Sequence, residues 1–156
     1  MRMTGLWAAL LAGVAGASVV QADMKNIQFF TGACSEESHL AEGPLGSDLT
    51  KRQSRFHCDA MVRAGFDDDP RHIMLQFLAA KGRHSRQLAF AGRMLDKTTM
   101  NVDGVYFETG KRTPVAEGAC RFFPDEPGEQ VVCGARIDKD GVRTVAIVGF
   151  KGQKSR

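Results

Sequence analysis

The 156-residue sequence lacks the short motifs that usually announce an enzyme. It contains no Gly-x-Ser-x-Gly, no His-Glu-x-x-His, no Cys-x-x-Cys and no dinucleotide-binding glycine fingerprint. Those gaps remove the sequence signs of a nucleophile elbow, a zinc protease, a zinc knuckle and a Rossmann site. Gly104–Lys111 ends in Gly-Lys, but its spacing is one residue too long and Arg112 follows, so it is no phosphate loop. No catalytic residue, cofactor or metal is implied. A formal charge of +3 is too balanced to argue for nucleic acid or an anionic membrane. Amphipathic helical periodicity is missing as well, and only one apolar run is long.

That run, Gly5–Val20, follows a start holding one arginine and ends in Val20-Gln21-Ala22. A basic start, an apolar middle and a small residue before the cut predict a secretory signal peptide over residues 1–22. Its 16 residues fall short of the roughly 20 that a membrane helix needs. Cleavage before Asp23 leaves 134 residues, one typical domain over 23–156, soluble and without stable membrane insertion. It carries 20 basic against 18 acidic side chains. All four cysteines, Cys34, Cys58, Cys120 and Cys133, lie in this exported part. An even count in an oxidising compartment, periplasmic or extracellular, predicts two disulfides.

The strands follow from one stretch, Arg112–Ile137. Folded about Pro124-Asp125-Glu126-Pro127-Gly128-Glu129, it sets Phe122 against Val131, Cys120 against Cys133, Gly118 against Ala135 and Ala116 against Ile137. These pairs share one side of the pleat, and directly opposed cysteines suit a disulfide. Cys34–Cys58 is then the second bond. The same reasoning sets Ile73 against Ala64, Leu75 against Val62 and Phe77 against Ala60. It continues with Leu75 against Phe90, Ile73 against Gly92, Gly92 against Val102 and Met94 against Met100. Val142 faces Ile137 across a turn at Asp138–Gly141. Asp103-Gly104 reads as a bend or bulge within one long strand rather than a hairpin. The expected fold is all-β: an antiparallel up-and-down meander of about eight strands, closing as a barrel in preference to a sandwich. Gly92, Gly104 and Gly118 at inward positions favour the coiling that closure needs. Ser35–Arg55 has loop composition, and Lys151–Arg156 reads as a frayed tail.

Few residues suggest chemistry. His57 and Asp59, two apart on one strand, can be read as a base and its orienter in a hydrolase, or as a solvated pair. The register puts His72 beside Gly65, roughly 25 Å from His57, so the two cannot share an ion. Asp67-Asp68-Asp69 lacks the six to eight oxygens calcium takes and reads as a hairpin tip. Lys81-Gly82-Arg83-His84-Ser85-Arg86 reads as a basic tip. On the outward face the register aligns Asp103, Glu117, Arg136 and Arg143 in the order acid, acid, base, base. Like charges directly opposite cost up to roughly 1 kcal/mol per pair, so this row resembles a polar docking site. Val105, Phe107, Phe123, Val132, Val145 and Ile147 surround it as an apolar patch.

The expected function is an exported, disulfide-stapled binding module for a protein partner in the cell envelope, an inhibitor among the options. Asp103, Phe107, Glu117, Val132, Arg136, Arg143 and Ile147 are its candidate contacts. Carriage of a small apolar ligand inside the barrel is the alternative, and a His57/Asp59 hydrolase is a third reading.

Overall fold

The computed structural model describes residues 24–66, 69–79, 87–108 and 111–156. The leader, Asp67, Asp68 and the basic tip Lys81–Arg86 lie outside the described residues. The strands are β1 (Met24–Cys34), β2 (His39–Pro44), β3 (Gln53–Arg55), β4 (Cys58–Phe66), β5 (His72–Ala79) and β6 (Leu88–Met94), followed by β7 (Thr99–Glu108), β8 (Lys111–Pro114), β9 (Glu117–Phe122), β10 (Glu129–Lys139) and β11 (Val142–Lys154). Strand order is β1-β4-β5-β6-β7-β9-β10-β11, and β11 pairs back to β1. The fold is therefore a closed eight-stranded antiparallel barrel with three extra strands. No helix occurs among the described residues. Both disulfides form as expected, Cys34–Cys58 and Cys120–Cys133. Two intramolecular bonds of this kind fit an oxidising environment, extracellular or periplasmic.

The interior is dense. Phe56, Phe77, Phe90, Met61, Leu75, Leu88, Met100 and Val105 are all fully buried. Met94–Met100, Gly92–Val102 and Leu75–Phe90 pair as the sequence predicts, and so do Phe122–Val131, Cys120–Cys133 and Gly118–Ala135. β7 is indeed one long strand with a register shift beside Gly104.

Several expectations are corrected, each by a one- or two-residue effect. A bulge between Cys58 and Ala60 advances the β4–β5 register by one, so Met61 meets Phe77 and Arg63 meets Leu75. A slip of one turns a strand over. Met61 and Arg63 replace Ala60 and Val62 on the inner face, and Ile73 rather than His72 faces Gly65. Part-exposed on that face, the Arg63 guanidinium stacks over the Phe122 ring at 5.2 Å and lies 3.8 Å from the Glu129 carboxylate. Burial pushes the Glu129 carboxyl above its usual range, and the charge of Arg63 draws it partly back. Beyond the β7 bulge the faces also exchange. Val105 pairs with Phe90 and is fully buried, Phe107 packs on the core, and Gly104 turns outward beneath Arg112. Neither Val105 nor Phe107 belongs to an outer patch.

The supposed loop Ser35–Arg55 holds β2 and β3, and β2 adds to β11 over Val142–Ile147. The supposed frayed tail is structural. Lys151–Lys154 pairs with Phe30–Ala33 and closes the barrel, because a ladder needs backbone groups whatever the side chains. Arg112–Phe122 is not one strand: it breaks after Pro114 into β8, which pairs β7, and β9.

Candidate functional site

The site lies on the outer side of β9, β10 and β11, and its floor follows from the cysteine register. Cys120 and Cys133 point inward, so their neighbours Ala119 and Gly134 point outward and face each other. Gly134 in turn faces Ile147. Two residues with almost no side chain next to one large one leave a trough across the strands. The row beside it runs Glu117, Arg136, Val145, and the row on the other side runs Arg121, Val132, Gly149. The trough and the Glu117 row together form an open groove of about 560 Å³, lined mainly by Glu117, Ala119, Gly134, Arg136, Val145 and Ile147. A Cβ added at Gly134 would have the Ala146 carbonyl, at 3.9 Å, as its nearest neighbour, so the floor is open. β2 borders the groove on the β11 side through His39, which faces Ile147. Farther along, Ser47, Leu49 and Arg52 fold over Gly43 and cover that end of the sheet.

The electrostatics differ from the row expected. Asp140 (φ 52°) and Gly141 (φ 75°) form the two-residue turn that hairpins prefer, in place of a four-residue one. That tightening shifts β11 by two residues. Faces are kept, but Arg143 now faces Asp138 and Val145 faces Arg136. Arg143 donates to both Asp138 carboxylate oxygens, at 2.8 and 3.1 Å. Arg136 lies 3.4 Å from Glu117 and 3.5 Å from Asp138. Two acids and two bases thus alternate, and no like pair is opposed. The Arg136 Nε is buried and makes no hydrogen bond among the described residues, since Asp138 at 3.5 Å is near enough to attract but poorly aligned.

Of the seven candidate contacts, Glu117, Arg136 and Ile147 line the groove, and Val132, 42% exposed, lies in the next row of the sheet. Arg143 sits outside it in the ion-pair chain. Asp103 is elsewhere, at the point where the partner of β7 changes from β9 to β8. There it accepts from Arg112 at 2.9 Å and lies 3.5 Å from His72 Nε2, whose ring stacks on Phe66. Phe107 is on the core. The floor residues Ala119 and Gly134 were missed by attention to charge and bulk, although the cysteine register already placed them opposite each other. His57 lies in the joint between β3 and β4 and Asp59 is exposed beyond it, with the β4 bulge interrupting the alternation on which their pairing rested. Among the described residues no three His, Cys, Asp or Glu side chains are grouped to hold a metal.

The ion-pair chain makes the groove's rim sensitive to acid. The Arg143 hydrogen bonds hold the Asp138 carboxyl below the usual range, with the charges of Arg143 and Arg136 adding to this. A depressed carboxylate stabilises the fold above its unfolded pKa, and that contribution is lost as pH falls through the folded value. Asp138→Asn should therefore lower the melting temperature at neutral pH and flatten its decline below about pH 4. Thermal melts from pH 7 to pH 2 check this; parallel curves for the two proteins would remove Asp138 from the account.

Compared with protein-family models, curated proteins and solved structures, the chain matches none of them.

Proposed function

We propose that the chain is an exported, non-enzymatic binding module of the cell envelope that engages a protein partner through the groove on β9–β11. The leader over residues 1–22 supplies export to the periplasm or beyond, and the two disulfides are consistent with it. The observation that carries the reading is the groove itself: an open trough with an Ala119–Gly134 floor, an apolar wall of Val145 and Ile147, and a rim whose charges are already paired. Paired rim charges cost little to approach, and a small-residue floor admits a large side chain from a partner. A filled interior directs the reading to this outer face.

Gly134→Phe is the test. The added Cβ meets no close neighbour and the backbone φ there is ordinary, so the variant should fold with wild-type stability while its ring fills the groove. Gly134→Ala, as a control, should raise stability by about 0.4–1 kcal/mol by restricting the unfolded chain. In-cell cross-linking should capture a defined partner with wild type and Gly134→Ala but not with Gly134→Phe. Equal capture by all three, or none by wild type, would sink the proposal.

A further inference from the structure

Charge is divided unevenly along the outer face of β10. Val131, Cys133, Ala135 and Ile137 are buried, so Gln130, Val132, Gly134, Arg136 and Asp138 face outward. At the Asp138 end the charges answer one another. Arg136 lies between Glu117 and Asp138, and Asp138 also holds Arg143. At the Gln130 end two cations stand without an acid. Arg121 faces Val132 from β9, and Lys151 faces Gln130 from β11. Both are exposed, and among the described residues neither side chain makes a hydrogen bond or an ion pair. Their outward neighbours are uncharged: Thr99 faces Arg121, Gly149 faces Val132 and Ala33 faces Lys151. The open floor at Gly134 lies between the two ends.

We propose that the groove takes an extended acidic segment of a protein partner, with a large apolar side chain on Gly134 and carboxylates two and four residues along it, beside Arg121 and Lys151. This rests on the groove being the site where a partner binds. An extended chain repeats its facing side chains about every 7 Å, which is also the spacing of Gly134, Val132 and Gln130 along β10. One partner strand laid along β10 therefore brings successive facing side chains to the small-residue floor, to the Arg121 row and to the Lys151 row. Acids gain there because the cations have no counter-ion. A basic segment meets repulsion at that end and no unpaired acid at the other, since Glu117 and Asp138 are already held by arginines.

A random-peptide library displayed on phage and selected against the mature protein tests this. Selected peptides should carry a large apolar residue with Asp or Glu two or four positions away. Synthetic copies should bind wild type and lose binding to Gly134→Phe. Arg121→Glu and Lys151→Glu should each bind them about fivefold more weakly at low salt, with the melting temperature kept. High salt should narrow that gap by screening and leave the Gly134→Phe loss in place. Lys51→Glu, the same change of charge on the exposed turn before β3, should bind as wild type. Peptides that Gly134→Phe blocks, but that carry no acids and ignore the charge reversals, would overturn this inference and leave the groove reading standing. Peptides indifferent to Gly134→Phe would overturn both. Equal weakening by Lys51→Glu would reduce the effect to net charge and overturn the placement of the acids. Binding of phosphatidylglycerol vesicles to wild type but not to the reversed variants, with no acidic peptide selected, would assign the cations to a membrane surface instead.

Discussion

Replacing Cys120 and Cys133 together by alanine should cost about 3 kcal/mol of stability, the value expected for closing a loop of this size in the unfolded chain. The two are 13 residues apart and lie directly opposite in the β9–β10 ladder. Both are fully buried, so alanine removes sulfur from a packed wall as well as a cross-link. Cys34–Cys58 spans 24 residues and should cost about as much, but with a different signature. It joins the end of β1 to the start of β4 and so closes the insertion that carries β2 and β3. That arm has other anchors: the ladder to β11, and the buried Ser38 hydroxyl, which accepts from the Gly149 amide at 3.1 Å. Loss of Cys34–Cys58 should therefore loosen the arm first. Urea unfolding and amide exchange separate the cases. The Cys120/Cys133 variant should lower the midpoint for the whole barrel, while the Cys34/Cys58 variant should also speed exchange in His39–Pro44 at low urea. A doubly reduced protein with the wild-type midpoint would contradict both assignments.

If the groove is the proposed binding site, the same bond bears on it. Ala119 and Gly134, the floor of the groove, are chain neighbours of Cys120 and Cys133. A ladder loosened at the cysteines widens the trough, so the Cys120/Cys133 variant should lose partner capture before it loses the fold.

Much of the barrel is legible in the sequence because side chains alternate and opposed apolar positions must agree from strand to strand. The run from Ile73 through Phe90 to Met100 needed nothing more, and the cysteine pair fixed β9 against β10. What was illegible lay where backbone decides. The bulge at Cys58/Ala60 leaves no mark in hydrophobicity, yet it turns Arg63 inward and Val62 outward. Asp140-Gly141 is a strong two-residue turn signal, but a four-residue turn preserves the same faces, so apolar pairing alone could not choose between them. That choice misplaced Arg143 by two positions and set it against Arg136, while the second like pair, Asp103 with Glu117, came from missing the change of β7's partner from β9 to β8. The outer groove was half read. Glu117, Arg136 and Ile147 came from the register, while its floor is made by side chains too small to draw attention. Closure as a barrel was expected, but the segment that makes it was not, since Lys151–Lys154 pairs through its backbone and shows no apolar alternation.

That closure makes the second large prediction. At the seam, Gly32 of β1 faces Gly152 of β11. A Cβ on Gly32 would collide with the Lys151 carbonyl, and one on Gly152 would come within 2.5 Å of the Thr31 carbonyl and 2.7 Å of the Phe150 ring. The obstacles are mostly backbone within the ladder itself, so a side chain there cannot be accommodated by a rotamer change. Gly32→Ala and Gly152→Ala should each cost about 3 kcal/mol, the upper end of ordinary overpacking. Gly134→Ala, two strands' width from the seam and free of contact, should go the other way. The seam also joins the first and last of the described strands, so opening it bares Phe30 and Phe150, which are now buried on either side. Both seam variants should therefore bind a hydrophobic dye at urea concentrations where wild type does not. A Gly32→Ala protein with the wild-type midpoint and no dye binding would mean that β1 and β11 are not held this closely, and the barrel would have to be redrawn as an open sheet.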